Sequence, residues 1–191
     1  MKLGLFANNK IERACPQLLF AQRRIQLVKL MKFVADGMLG KLARWLRLAG
    51  HDVIYIDNLR ASAVDQDEIL LNLAKLEKRE LLTCDLLLYR RARKSGIRTT
   101  FIRTSDVVSQ LAEISKKSGH KIEINPENSR CPTCNGLLKP VGKEKIVEFV
   151  PRTVLKTRRE FWRCSKCGKI YWYGKHWKTI IEIASRYNKL K

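Results

Sequence analysis

From Lys32 onward, short runs of apolar residues alternate with stretches whose apolar positions recur every three or four residues. Lys32–Ala35 predicts a strand, and Met38–Ala49 a helix with Leu39, Leu42, Ala43 and Leu46 on one face and Gly50 just past its end. Asp52–Ile56 predicts a second strand, Asp67–Lys78 a helix turning Leu70, Leu71 and Ala74 inward, and Glu80–Thr83 a third strand. Leu86–Ser95 follows as a basic helix ended by Gly96, then Thr99–Ile102 as a fourth strand and Val107–Lys117 as a helix. Strand–helix–strand units joined by short loops predict an α/β domain over residues 31–125, a parallel sheet covered by helices.

The pattern changes after Asn125–Arg130, which reads as a linker around Pro126. Two CxxC pairs enclose β-rich sequence, Lys145–Val150 and Val154–Trp162, and Ile170–Tyr173 follows the second pair. A last helix is expected over His176–Lys189, with Ile180, Ile181, Ala184 and Tyr187 on one side. Residues 126–191 thus form a second unit, a small β-rich zinc ribbon with a C-terminal helix. Residues 1–30 precede a fresh Met31-Lys32 opening. They read either as a basic extension with a short helix near Pro16–Leu30 or as sequence upstream of a true start at Met31.

Charge narrows the function. Lys and Arg number 39 against 18 Asp and Glu, a formal net charge of +21. A field of that sign attracts polyanions, nucleic acid first, ahead of a membrane surface or an acidic protein. Residues 126–191 hold sixteen basic and five acidic residues, while residues 31–125 hold twelve of the acids. Acid chemistry is therefore expected in the α/β domain. No stretch reaches the ~20 apolar residues of a membrane helix, and Asn8 and Asn9 interrupt the opening segment. The expectation is a cytoplasmic protein without a membrane partner.

CPTCNG and CSKCGK each place two thiols on either side of two residues, the spacing that grips one tetrahedral ion. Gly136 and Gly168 let the backbone curl beneath the sulfurs. Cys131, Cys134, Cys164 and Cys167 would close the shell with no open position, so the expected zinc is structural. The 29 residues between the pairs suit a hairpin or three-stranded ribbon. Cys15 and Cys84 read as small apolar residues. The aromatics Phe161, Trp162, Tyr171, Trp172, Tyr173 and Trp177 allow two readings, a scant ribbon core or a surface for stacking bases.

Asp36, Asp85 and Asp106 stand just past the first, third and fourth strands, and Asp67 opens the helix between the second and third. Parallel strands gather their carboxyl ends on one rim, where function sits in open α/β sheets. Each aspartate alone is explained by helix capping. As a set, they make an oxygen-rich site suited to Mg²⁺ or Mn²⁺. Asp57, beside Asn58, reads as a turn residue. Lys41, Arg44, Arg47, Arg90 and Arg91, with Arg93 and Lys94, are either a solvated surface or phosphate contacts beside that rim.

MKFVADGMLGKLARWLRLAGHDV, DEILLNLA, ELLTCD, SRCPTCNG and FWRCSKCGKIYWYGKHW, spread over residues 31–178, resemble the Mut-seven C-terminal RNase-domain family. The resemblance implies a PIN-like nuclease fold followed by a zinc ribbon, and a metal-dependent RNase leaving 5′-phosphate products. Its acidic site would include Asp36, Asp67 and Asp85, with Asp106 a weaker fourth, served by Mg²⁺ or Mn²⁺. RNA is the expected partner, with the ribosome or tRNA as further candidates. The family commonly has Arg where this chain has Cys84. Two rival readings remain, an RNA- or ribosome-binding protein without turnover and a DNA-binding module.

Overall fold

The computed structural model describes residues 30–59, 66–119, 122–123, 128–174 and 176–190. The N-terminal extension, but for Leu30, and residues 125–127 of the linker lie outside the described residues. The first unit runs β1 (Lys32–Ala35), α1 (Gly40–Leu48), β2 (Asp52–Tyr55), α2 (Gln66–Leu76), β3 (Glu80–Thr83), α3 (Leu86–Lys94), β4 (Thr99–Phe101) and α4 (Val107–Ser118). Its four strands pair in parallel in the order β2-β1-β3-β4, with Ala35 opposite both Tyr55 and Leu82.

Alternation along β1 explains why both faces are covered. Phe33 and Ala35 enter one core with Leu42 and Leu46 of α1 and Leu111 and Ile114 of α4. Val34 points the other way, to Leu70 and Ala74 of α2 and Leu88 and Ala92 of α3. Full burial of one such leucine is worth about 1.5–3 kcal/mol, and Leu42, Leu46, Leu81 and Leu82 are all at 0% exposure.

The second unit carries β5 (Leu138–Pro140), α5 (Arg152–Thr157), β6 (Phe161–Cys164), β7 (Ile170–Trp172) and α6 (His176–Lys189). Its strands form an antiparallel sheet, β5-β6-β7. The strands expected over Lys145–Val150 and Val154–Trp162 are corrected. A 3₁₀ turn spans Lys143–Lys145, α5 follows, and β6 begins only at Phe161. Ile146 and Val150 enter a small core with Phe161 while Val147, Glu148 and Phe149 all stay exposed, where a strand would turn Glu148 inward beside them. Pro151 stands at the N-cap of α5, which begins at Arg152. The face of α6 also differs from expectation. Ile180, Ile183 and Tyr187 pack against the α/β core, and the Tyr187 hydroxyl accepts from Ile122 N at 3.2 Å, whereas Ile181 is 42% exposed.

The first cysteine knuckle docks on the outer edge of β2. Val53 turns both backbone groups outward: its N–H donates to Asn135 Oδ1 at 3.1 Å, and its carbonyl accepts from Arg47 Nε and Nη2 at 2.9 and 2.8 Å. Arg47 Nη1 also donates to the carbonyls of Pro132 and Thr133, inside the CPTC turn. An edge strand with unmet hydrogen-bonding groups is prone to unwanted pairing. Here the knuckle and Arg47 close that edge at Val53.

Candidate functional site

The strand order reverses between β1 and β3, whose carboxyl ends lie side by side. Asp36 follows β1 directly, and Asp85 follows β3 after one residue, Cys84. Asp36 is 6% exposed, accepting from Met38 N at 3.0 Å through Oδ1 and from Cys84 N at 2.9 Å through Oδ2. Burial pushes its carboxyl above the ordinary range; hydrogen bonds from Thr83, Cys84 and Met38 oppose the shift, and the nearby Asp85 charge adds to it. Asp85 Oδ1 caps α3, accepting from Leu87 N at 2.6 Å and Leu88 N at 3.1 Å. Asp67, in the first turn of α2, comes from across the crevice and is held by Arg91 Nη1 at 3.0 Å. The same guanidinium reaches Glu68.

Asp36, Asp67 and Asp85 line one open pocket of about 180 Å³, together with Gln66 and Met38. That volume admits a small hydrated cation or a phosphate group. Three carboxylates line it, oxygen donors of the kind a hard divalent ion takes, although among the described residues the cluster already tight enough for an ion is that of the cysteines. Asp106 is not among the lining residues. It caps α4, accepting from Ser109 N at 3.1 Å, and faces Arg186 of α6 at 3.6 Å. Its carboxyl is held below the ordinary range, by the Ser109 hydrogen bond first.

Asp57, set aside in the sequence, lies beside this rim. Tyr55 Oη donates to its Oδ2 at 2.6 Å and also meets the Gly37 carbonyl at 2.8 Å. Burial, then the Asp57 carboxylate, pushes the Tyr55 hydroxyl up to about 12. Gly40 makes room for that ring, since a Cβ there would stand 2.7 Å from Tyr55 Oη. The readable signal is the Y-x-D spacing at a strand's carboxyl end.

The cations divide. Lys41, Arg44 and Arg90 are exposed, and Arg91 is half-exposed in its ion pairs. Arg47 does not fit the expected role as a phosphate contact. It is 2% exposed, and its guanidinium is spent on backbone carbonyls. The recurrence of cations every three residues on α1 suggested one surface, but Arg47 falls at the helix end that the knuckle covers.

The sulfurs of Cys131, Cys134, Cys164 and Cys167 lie within 4.8 Å of one another. Cys131–Cys167 and Cys134–Cys164 are 3.7 and 3.4 Å apart. Tetrahedral zinc with ~2.3 Å Zn–S bonds requires roughly 3.8 Å between sulfurs, so the cluster can hold a metal such as zinc. Gly136 is needed on grounds of space, because a Cβ there would sit 2.7 Å from Cys164 Sγ. The Tyr171 hydroxyl stands 3.0 Å from Cys131 Sγ, an outer hydrogen bond of the kind that orients metal ligands. Among the described residues no helix is long and apolar enough to cross a membrane.

These features define an α/β protein with an acid-lined pocket at its sheet crossover and a four-cysteine cluster, able to hold a metal, clamped to its edge. The family model of the Mut7-C RNAse domain matches residues 31–184, and the chain belongs to that family. Membership points to nuclease-like function with RNA as substrate. No curated protein and no solved structure matches the chain significantly.

Proposed function

We propose that the protein is a metal-dependent ribonuclease that hydrolyses RNA phosphodiester bonds at the pocket formed by Asp36, Asp67 and Asp85. The observation that carries this reading is the convergence of three carboxylates from separate segments at the one place where the sheet order reverses. Asp36 and Asp85 would hold Mg²⁺ or Mn²⁺, with Asp67 completing the shell directly or through water. When bound, such an ion makes water a better nucleophile and stabilises the departing oxygen.

The chain's own residues supply the rest. The backbone amides of Met38 and Cys84 fix both oxygens of Asp36, so the carboxylate needs no reorganisation when it meets a cation. Burial raises the cost of its uncompensated charge, and a divalent ion relieves that cost. Arg91 offsets the charge of Asp67 and stands ready for a phosphate. Lys41 and Arg44 supply positive charge along α1 for the RNA backbone. Structural zinc in the cysteine cluster would hold the ribbon, which assists RNA binding.

The test is incubation of the purified protein with labelled single-stranded RNA, with and without Mn²⁺. The wild type is expected to cleave only with the ion. The Asp36→Asn/Asp85→Asn protein should lose cleavage at least 100-fold yet bind RNA as well or better. A wild type that binds RNA without Mn²⁺-dependent cleavage would establish the non-catalytic reading instead.

A further inference from the structure

We propose that the cleft between the end of β5 and the start of β6 binds an unpaired RNA base with its phosphate, Trp162 stacking on the base and Arg159 meeting the phosphate. This deepens the RNA reading above, naming where the ribbon would grip the strand. The cleft has a volume of about 570 Å³ and is lined by Pro140, Val141, Arg159, Glu160 and Trp162 among others. That lies in the range of small-ligand sites.

The ribbon's aromatics separate by strand parity. Phe161 and Trp172 face Ile146 and Val150 and form the small core. Trp162 points to the opposite face, across from Tyr171 and Pro140. Its ring meets Tyr173 edge-on at 5.1 Å, and Tyr173 meets Trp177 edge-on at 4.6 Å. Trp162 is thus braced while staying partly exposed. A ring already held in place stacks on a base with little further loss of side-chain entropy, and it does so for any base.

Charge selects the occupant. Arg158 and Arg159 are exposed where the chain enters β6 and outnumber the likewise exposed Glu160 beside them, in a unit with sixteen basic and five acidic residues. An apolar peptide would match Trp162 and Pro140 but not this field. A duplex matches the field but keeps its base faces stacked inside. An unpaired strand offers both. The acid pocket repels phosphates, so binding energy drawn from a second place has a clear use.

The experiment uses the full chain in the Asp36→Asn/Asp85→Asn background, so that RNA survives, and follows the anisotropy of a fluorescein-labelled unstructured decaribonucleotide. Trp162→Ala is expected to weaken binding about tenfold, and Trp162→Phe to restore most of it. Arg159→Gln should weaken binding a few-fold and reduce the log–log salt slope by roughly 0.7. Trp162→Ala and Arg159→Gln proteins that retain fold, zinc content and full affinity would overturn the site. So would duplex RNA competing as well as the single strand. If Trp162→Ala fails to fold, photocrosslinking of 5-bromouridine RNA to the native chain decides: a crosslink at Trp162 upholds the site, and its absence there refutes it. Loss of affinity in these variants from a wild type that never cleaves RNA would uphold the base site while refuting the nuclease reading.

Discussion

The side-chain amide of Asn135 donates to Oδ1 of Asp52 at 2.7 Å, joining the cysteine knuckle to the edge strand of the sheet. Asp52 is gripped from its other side by Arg79, whose Nη2 donates to Oδ2 at 3.2 Å. Burial alone would push the Asp52 carboxyl up. The hydrogen bonds from Arg79 and Asn135, with the Arg79 charge, outweigh burial and hold it below the ordinary value.

Because the folded value lies below the unfolded one of about 3.9, this link contributes stability in full above that pH and loses it as pH falls through the folded value. Asp52→Asn should therefore lower the melting temperature at neutral pH, with the difference from wild type shrinking below about pH 4. Thermal melts of both proteins across pH 2–7, as a working range of roughly five units, check this. A difference that persists unchanged at the acid end would show that the carboxylate is not the link.

Arg47 serves three carbonyls at once, those of Val53, Pro132 and Thr133. Arg47→Leu leaves these acceptors without their cation, and a cost of about 2–4 kcal/mol is expected from the lost charge-assisted bonds. Arg47→Lys should recover less than half, since an ammonium cannot fork toward carbonyls on two segments. Urea unfolding measures both, and metal affinity of the knuckle should fall in parallel.

Gly40→Ala puts a methyl group against the Tyr55 hydroxyl, at 2.7 Å before relaxation. The ring must shift away from Asp57 and the Gly37 carbonyl. We expect a destabilisation of about 1–3 kcal/mol and slower cleavage. Solution melts give the first, and initial rates at saturating Mn²⁺ give the second.

Asp106 and Asp85 both cap helices, yet only Asp85 lines the acid pocket. Asp106→Ala should lower the melting temperature only slightly, by the loss of a cap, and leave cleavage within roughly twofold once folding is matched. Asp85→Ala should cost a similar amount of stability and abolish cleavage. Equal loss of activity in the two variants would return Asp106 to the site.

The parallel sheet was legible because the apolar runs of β1 and β3 are bounded by helices whose buried residues recur on schedule, as Leu42 and Leu46 do. Asp36 and Asp85 were legible for the same reason, since a strand's last residue fixes which rim the next one occupies. Asp106 failed by that logic. Its strand is at the far edge, β4, and it opens a helix packed on the opposite face from α2 and α3. Arg47 was misassigned because its partners lie some 85 positions downstream, and periodicity along one helix carries no word of them. The Ile146–Thr157 excursion was not legible because Ile146 and Val150 share one face in a strand as in a turn, and Glu148, which a strand would carry inward with them, lies exposed.

The knuckle meets β2 where that strand begins, and the carboxylates gather where strands end. One four-residue strand, roughly 13 Å at ~3.3 Å per residue, separates them. On the proposed reading, an RNA that touches both the knuckle and the aspartates must run the length of β2, so a mononucleotide can engage only one of them at a time.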